Sequence, residues 1–90
     1  MKGKVVIITG ASSGIGKALA EDFARRGAKV VLAARNRDKI TEIKKDLEPV
    51  NPEILAIRAD VSKEGDCRHL VDLVVEEFGK IDILINNAGI

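Results

Sequence analysis

The sequence predicts an α/β protein with an open parallel sheet and helices on both of its faces. Four short runs rich in apolar β-branched residues are separated by three segments whose apolar residues recur at helical spacing. Strands joined by crossover helices pair in parallel, and such crossovers are right-handed. We therefore expect a three-layer β-α-β-α-β-α-β chain with the strand order 3-2-1-4.

The first two strands and the helix between them are predicted from residues 4–34. The run KVVIIT at 4–9 is short and continuously apolar, which is typical of a strand buried on both faces. A helix is predicted over residues 14–26, and Gly27 stands where a left-handed cap would end it. The second strand is KVVLAA at 29–34. The apolar residues of the helix fall on one face, at Ile15, Ala18, Leu19 and Phe23.

The remaining elements follow the same alternation. Asn36 or Asp38 is expected to cap a second helix that stops before Pro49. The run at 53–59 predicts the third strand and the run at 81–86 the fourth. Ser62 is expected to cap a third helix that ends at Gly79. The apolar face of that helix is predicted to consist of Cys67, Leu70, Val71, Val74, Val75 and Phe78.

In the order 3-2-1-4, strands 2 and 3 lie on one side of strand 1 and strand 4 lies on the other. The order of the strands therefore reverses between strands 1 and 4. Ligands of open α/β sheets bind beside such a point, at the carboxyl ends of the strands. The residues expected there are Thr9-Gly10, Ala34-Arg35, Asp60-Val61 and Asn86-Asn87.

The turn after the first strand has the composition of a phosphate-binding loop. Gly10 tolerates the positive φ of a sharp turn, and Gly14 has no side chain to hold a phosphate away. Gly16 would let the helix pack closely against the sheet. The amides at the helix start favour an anion, and Ser12 and Ser13 offer hydroxyl donors. Ordinary turn glycines are the alternative interpretation.

This chain resembles the short-chain dehydrogenases/reductases. TGASSGIG at 9–16 matches the TGxxxGxG loop of that family, and NNAG at 86–89 matches its NNAG motif at the usual separation. Asp60-Val61 matches the acid-plus-apolar pair after its third strand. The resemblance covers essentially all ninety residues. It implies a Rossmann-like fold and hydride transfer between a nicotinamide and a carbonyl or alcohol.

The resemblance also assigns roles to individual residues. Asp60 would hydrogen-bond the adenine amino group, and Val61 would line the adenine pocket. Asn86 would approach the adenine-side ribose, while Ala88 and Gly89 would let the cofactor pass over the fourth strand.

The resemblance assigns one further role, and three positions have a structural alternative. Ile15 would cover the pyrophosphate. Asp60 has a purely structural alternative as a helix-capping or loop carboxylate. Asn86 and Asn87 have one as amides that tie the sheet end to its loops, and Asn87 is for this reason not assigned to the cofactor.

The end of the second strand favours NADP(H) over NAD(H). An acidic residue there would accept a bond from a ribose hydroxyl and repel a phosphate, but this sequence has Ala34. Arg35 follows it, and a guanidinium suits a 2′-phosphate. Asn36 and Arg37 are placed to assist. A solvated loop patch is the alternative, and Ser13 stands where many NADP-using relatives carry a basic residue.

Composition argues against several other classes. The formal charge of +1 gives no electrostatic basis for binding nucleic acid or an anionic membrane. The apolar run at 5–8 is too short for a signal peptide or a membrane span. Cys67 is the single cysteine, which fits a reducing cytoplasm and, with His69 as the one histidine, predicts no metal site.

No catalytic residue is assigned. The resembling enzymes use a tyrosine with a lysine four residues later and a serine, but this sequence contains no tyrosine. Residues 1–90 are therefore expected to form one truncated NADP(H)-binding Rossmann half-domain, catalytically incomplete alone. A fragment, a minimal or designed module and a chain whose complement lies elsewhere all remain open. An uncovered fourth strand predicts a homo-oligomer or other pairing through that edge.

Overall fold

The structure, a computed structural model, describes residues 1–87; residues 88–90 lie outside the described part. The four strands form one parallel sheet in the order β3-β2-β1-β4, which confirms the predicted architecture. In chain order the elements are β1 (Val5–Thr9), α1 (Gly14–Arg25), β2 (Lys29–Ala34), α2 (Arg37–Leu47), β3 (Ile54–Arg58), α3 (Glu64–Phe78) and β4 (Ile83–Asn86).

The register of the strands brings their carboxyl ends together. Thr9 at the end of β1 pairs with Ala33 of β2 on one side and with Asn86 of β4 on the other. Every residue of β1 is buried. Because all four strands run in the same direction, the loops that follow them open at one edge of the sheet.

Two helices cover one face of the sheet and one helix covers the other. On the α1 and α2 side, alternate residues of the central strands pack against both helices, and Ile40 and Ile43 of α2 are fully buried there. On the α3 side the buried cluster is smaller. Its members are Val5, Ile7, Val31, Ala33, Ala59, Leu70 and Val74.

The third helix differs from its prediction at its start. Its N-cap residue is Lys63, and within residues 1–87 no side chain caps the first turn, so the prediction that Ser62 caps this helix is wrong. The Ser62 hydroxyl instead donates to the Asp60 carboxylate at 2.6 Å. Ser62 lies one residue before the N-cap position, and its hydroxyl forms a charge-assisted bond within the loop.

The apolar face of α3 is only partly buried. Leu70 and Val74 are buried, whereas Val71 and Val75 are 43% and 45% exposed. Helical spacing had placed all four on one face, but only Leu70 and Val74 join the buried cluster on this side of the sheet.

Hydrogen bonds from side chains fasten β4 to β1 at both ends. At one end the Asp82 carboxylate accepts the Val5 N–H at 2.8 Å, and the Asp82 N–H donates to the Val5 carbonyl at 3.0 Å. The bond from Val5 is the main reason that the pKa of Asp82 lies below its ordinary value. At the other end the Thr9 hydroxyl accepts the Asn87 N–H at 3.1 Å.

None of the helices within residues 1–87 combines the length and the apolar character that crossing a membrane requires.

Candidate functional site

A cleft of about 770 Å³ opens at the carboxyl ends of β1, β2 and β3. The loops that follow these strands form its walls, as expected for an open parallel sheet. Its lining consists of Gly10, Ser12, Ser13, Ala34, Arg35, Asn36, Ala59, Asp60, Val61, Ser62 and Asn87.

The three loop glycines have three different surroundings. Gly10 has a φ of +63°, as predicted for a sharp turn. A Cβ on Gly16 would lie 2.6 Å from the Gly10 carbonyl oxygen and 2.7 Å from the Ala11 Cα, so only glycine allows this approach of α1 to the loop. A Cβ on Gly14 would meet none of the other described residues within 4 Å.

The amino end of α1 presents donors beside the cleft. The first intrahelical bond runs from the Lys17 N–H to the Ser13 carbonyl at 2.9 Å. The N–H groups of Gly14 and Ile15 precede it and therefore have no intrahelical acceptor. Ile15 itself is 56% exposed, with its side chain open to solvent. This end of the helix thus offers main-chain donors and the positive end of the helix dipole to an anion.

Ser13 caps α1, and its hydroxyl proton is left to donate to an acceptor in the cleft. Its Oγ accepts the Gly16 N–H at 3.0 Å and the Asn87 Nδ2–H at 2.9 Å. A hydroxyl oxygen has two acceptor positions and one proton. Both acceptor positions are filled, so the proton remains for an acceptor in the cleft.

The asparagine pair after β4 supports the loop. Asn87 is buried, and its Nδ2 also donates to the Gly10 carbonyl at 3.1 Å. These contacts are the structural role that had been left open for Asn87. Asn86 is exposed, and its Oδ1 accepts the Thr9 hydroxyl at 3.1 Å.

On the opposite wall, Asp60 carries an ionised carboxylate. Its Oδ1 accepts the Ser62 hydroxyl at 2.6 Å and the Ser62 N–H at 3.0 Å. These two bonds, followed by the positive charges of Arg35 and Lys63, hold the pKa of Asp60 below its ordinary value. Asp60 therefore closes its own loop, as the structural alternative required, while it also lines the cleft with Val61.

Arg35 and Asn36 line the side of the cleft that follows β2. Arg35 is exposed, and within residues 1–87 no carboxylate lies within ion-pair distance of its guanidinium. Asn36 caps α2, with its Oδ1 accepting the Lys39 N–H at 3.1 Å, which confirms one of the two predicted caps. The Asn36 Nδ2 is the part of that side chain left for a ligand.

The structure brings most of the predicted site residues together. Of the predicted set, Gly10, Ser12, Ser13, Arg35, Asn36, Asp60 and Val61 line the cleft. Gly14 and Ile15 lie at the adjoining helix start, Gly16 is buried behind the loop, and Asn86 is at the end of β4. Ala88 and Gly89 lie outside the described residues.

Sequence reasoning missed two lining residues, Ala59 and Ser62. Both are immediate neighbours of the Asp60-Val61 pair, and their position next to a strand end is the signal that was available. Among residues 1–87, no three histidine, cysteine, aspartate or glutamate side chains are grouped so that they would hold a metal ion.

Comparison with known proteins places this geometry in context. Residues 4–90 match the family model of the short chain dehydrogenases. The chain is 52% identical over 89 residues to 11-beta-hydroxysteroid dehydrogenase A of Sesamum indicum, covering 98% of this chain and 26% of that protein.

Two solved structures have the same fold over this region. One is a 3-ketoacyl-(acyl-carrier-protein) reductase from Brucella melitensis complexed with NADH, with a TM-score of 0.85, 41% identity, and coverage of 92% of this chain and 33% of that one. The other is the Pseudomonas aeruginosa RhlG/NADP active-site complex, with a TM-score of 0.89, 33% identity, and coverage of 98% and 35%.

The chain thus spans about a quarter to a third of the length of the proteins it matches. The match nevertheless extends over nearly the whole of this chain, from the phosphate-type loop to the asparagine pair. The chain belongs to the short-chain dehydrogenase family.

Proposed function

We propose that this chain is the nucleotide-binding part of an NADP(H)-dependent short-chain oxidoreductase, which transfers hydride between the nicotinamide and a carbonyl or alcohol. The observation that carries the proposal is the cleft itself. It joins the donors at the start of α1, the Ser13 hydroxyl, an unpaired guanidinium and an ionised carboxylate along one strand edge.

The diphosphate would bind at the start of α1. The Gly14 and Ile15 N–H groups and the Ser13 hydroxyl are donors there, and the helix dipole adds to their attraction for an anion. The open space at Gly14 lets a phosphate approach the main chain. Ser12, which also lines the cleft, is a further donor.

The adenosine would bind between the loops after β2 and β3. The Asp60 carboxylate, kept ionised by Ser62, is an acceptor for the adenine amino group, and Val61 supplies an apolar wall. Family resemblance further assigns the adenine-side ribose to Asn86, the cover of the pyrophosphate to Ile15, and the passage over β4 to Ala88 and Gly89.

A preference for NADP(H) rests on Arg35. The residue before it, Ala34, is small and buried, so no carboxylate at this strand end competes for a ribose hydroxyl or repels a phosphate. The Arg35 guanidinium is free to form a charge-assisted bond to a 2′-phosphate. Solved relatives hold either NADH or NADP, so the family alone does not decide between the two cofactors.

The test is titration calorimetry of the purified chain with NADPH, NADH and 2′-phospho-AMP. NADPH should bind more tightly than NADH. Arg35→Gln should weaken NADPH binding by roughly 10- to 100-fold, because a hydrogen bond to a charged group contributes about 1.5–3 kcal/mol, and should leave NADH binding unchanged. Arg37→Gln shows whether the next arginine assists.

Arg26→Gln is the matched control, since Arg26 lies at the far end of α1 from the cleft. Equal affinity for the two dinucleotides, or an Arg35→Gln variant that keeps the NADPH preference, would refute the cofactor assignment. If none of the three ligands binds, the nucleotide-binding function is refuted.

A second candidate is a module that binds the dinucleotide without turnover. It is favoured by the composition, because the sequence contains no tyrosine to act as the family's acid/base. A carbonyl-reduction assay with NADPH separates the candidates. Turnover by the chain alone would refute the prediction that it is catalytically incomplete, and turnover only on mixing with a separately produced C-terminal half would support the oxidoreductase.

Self-association through β4 is proposed as well. β4 is an edge of the described sheet, and Leu84 on it is 62% exposed. Val71 and Val75 of α3 are also exposed, at 43% and 45%. An apolar edge strand of this kind is a template for pairing with a second copy. Size-exclusion chromatography with light scattering should show a dimer that Leu84→Lys dissociates. A monomer at high concentration would refute it.

A cytoplasmic location is proposed on the strength of Cys67, which is a free thiol in the structure. Cell fractionation tests it, and recovery of the protein in an oxidising compartment would refute it.

A further inference from the structure

Two consecutive side chains of α3 hold the pair of residues on the proposed adenine wall. The Asp66 Oδ2 accepts the Asp60 N–H at 2.8 Å, and the Cys67 thiol donates to the Val61 carbonyl at 3.2 Å. Each residue of the Asp60-Val61 pair is thus bonded through its main chain to the first turn of α3.

The Asp66 bond holds the main chain at Asp60, just beyond the last hydrogen bond of the sheet. The last ladder-type bond on this side runs from the Ala59 N–H to the Ala34 carbonyl at 2.9 Å. The next N–H, that of Asp60, lies beyond β3 and has the Asp66 carboxylate as its acceptor. Arg58 also donates to Asp66 Oδ2, at 3.3 Å, which orients that carboxylate.

Asp60 is consequently constrained from two sides. Asp66 holds its main-chain N–H, and Ser62 holds its side chain through Oδ1. The remaining oxygen, Oδ2, is directed by both constraints and is available to a ligand. An acceptor held in place before binding loses less freedom when the ligand arrives, and so discriminates better between a donor and an acceptor on the base.

We propose that Asp66 is a positioning residue for base recognition, which makes Asp60 selective for a purine that carries a 6-amino donor over one that carries a 6-oxo acceptor. The inference rests on the proposed dinucleotide function. A purely structural role is the competing explanation, because a carboxylate in the first turn also stabilises a helix through its dipole. The two explanations predict different responses to a change of base.

The ligand experiment compares NADPH with its hypoxanthine analogue, in which an oxo group replaces the amino group of the base. The unsubstituted chain should prefer NADPH. Asp66→Ala should reduce that preference by about tenfold, the usual worth of one well-placed hydrogen bond, while the ratio of NADPH to NADH affinity stays unchanged. Asp66→Asn, which keeps an acceptor oxygen, should restore most of the preference.

Asp72→Asn is the control, since Asp72 is an exposed carboxylate on the same helix. If Asp66→Ala weakens both ligands equally, the role is structural and the inference is overturned.

A second measurement needs no ligand. Amide hydrogen exchange followed by NMR should show faster exchange of the Asp60 N–H in Asp66→Ala, and no change in Asp72→Asn. Unchanged exchange at Asp60 would overturn the positioning role even if dinucleotides bind. If the Asp60 N–H exchanges faster in Asp66→Ala but the unsubstituted chain binds neither dinucleotide, the contact between Asp66 and Asp60 is established. The proposed function, and the base selectivity that rests on it, are then refuted.

Discussion

The helices of the described chain cover the two faces of the sheet to different extents. On the α1 and α2 face, side chains such as Leu32 and Ile40 are fully buried beneath two helices. On the α3 face a single helix covers a smaller cluster, and Val71, Val75 and Leu84 stay 43–62% exposed. The difference is seen on β4, where Ile83 and Ile85 pack against the two-helix cluster while Leu84 between them is exposed.

The proposed binding site draws on both faces, and its two ends are held by different forces. The loop that would bind phosphates belongs to the α1 side, where Gly16 packs against the Gly10 carbonyl without room for a methyl group. The loop that would bind adenine belongs to the α3 side, where Asp66 and Ser62 hold Asp60 through hydrogen bonds. Close packing, together with the Asn87 amide bonds to Gly10 and Ser13, shapes one end of the site, and polar contacts shape the other.

The largest difference between the faces is expected for one substitution made on each. Leu32→Ala should lower the free energy of unfolding by about 2–5 kcal/mol, because it leaves a cavity among fully buried neighbours. At a protein concentration low enough for the chain to be monomeric, Leu84→Ala should cost about 1 kcal/mol or less, since most of that side chain is exposed in the single chain. Urea denaturation followed by circular dichroism measures both. Similar losses of unfolding free energy in the two variants would show that Leu84 is buried in solution. If the loss for Leu84→Ala then falls as the protein is diluted, self-association is the cause.

The glycine loop offers the next contrast. Gly16→Ala should destabilise the chain by about 1–3 kcal/mol, because the new methyl group would collide with main-chain atoms of the loop. Gly14→Ala should be neutral or stabilising by up to about 1 kcal/mol, as its Cβ has open space and alanine favours a helix. Thermal unfolding compares the two variants. A stable Gly16→Ala chain would contradict the close packing of α1 on its loop.

A smaller effect is expected from a buried amide on the two-helix side. The Asn51 Nδ2 donates to the Ala28 carbonyl at 2.7 Å and to the Ala24 carbonyl at 3.2 Å, joining the start of β2 to the end of α1. Asn51→Ala should cost about 1–3 kcal/mol, because the Ala28 carbonyl loses its Asn51 donor, whereas the Ala24 carbonyl keeps the Gly27 N–H. Asn36→Ala, which removes the exposed α2 cap, should cost about 1 kcal/mol and serves as the comparison. The ordering in urea denaturation is the result to check.

The smallest effect is the pH dependence of the bond that closes β4 onto β1. The Val5 N–H lowers the folded-state pKa of Asp82, so the stabilisation is present above the unfolded-state pKa of about 3.9 and is lost as the pH falls through the folded value. Asp82→Asn should therefore be less stable than the original chain at pH 7, with the difference shrinking below about pH 4. Asp72→Asn, which removes an exposed carboxylate of α3, is the control variant. A difference independent of pH would contradict the contribution of the charge.

Much of the architecture was predictable because it depends on local patterns. Continuous apolar runs indicated buried parallel strands, and the observed order β3-β2-β1-β4 is the predicted one. Gly27 and Gly79 have positive φ values of +84° and +79°, and they end helices as expected of residues without a Cβ. The positive φ of Gly10 was predictable for the same reason.

The partners of the polar side chains were less predictable. Ser62 follows a strand in the pattern of a helix cap, yet α3 begins one residue later, with Lys63 at the N-cap, and the Ser62 hydroxyl donates to Asp60 instead. Asn87 was ambiguous until its amide was found to bridge Gly10 and Ser13, which lie more than seventy residues earlier in the chain. Asp66 gave no local signal of its bond to Asp60.

The amino-acid sequence by itself determined the elements, their order and the position of the glycine loop, since apolar periodicity and glycine conformation act over a few neighbouring residues. Only the tertiary structure decided which amides and carboxylates meet, and how far each face of the sheet is covered. Those outcomes depend on distances between strands and helices that are remote in sequence. A hydrogen bond such as that from Asn87 to Ser13 exists only when the strand register has placed its two ends within 3 Å of each other.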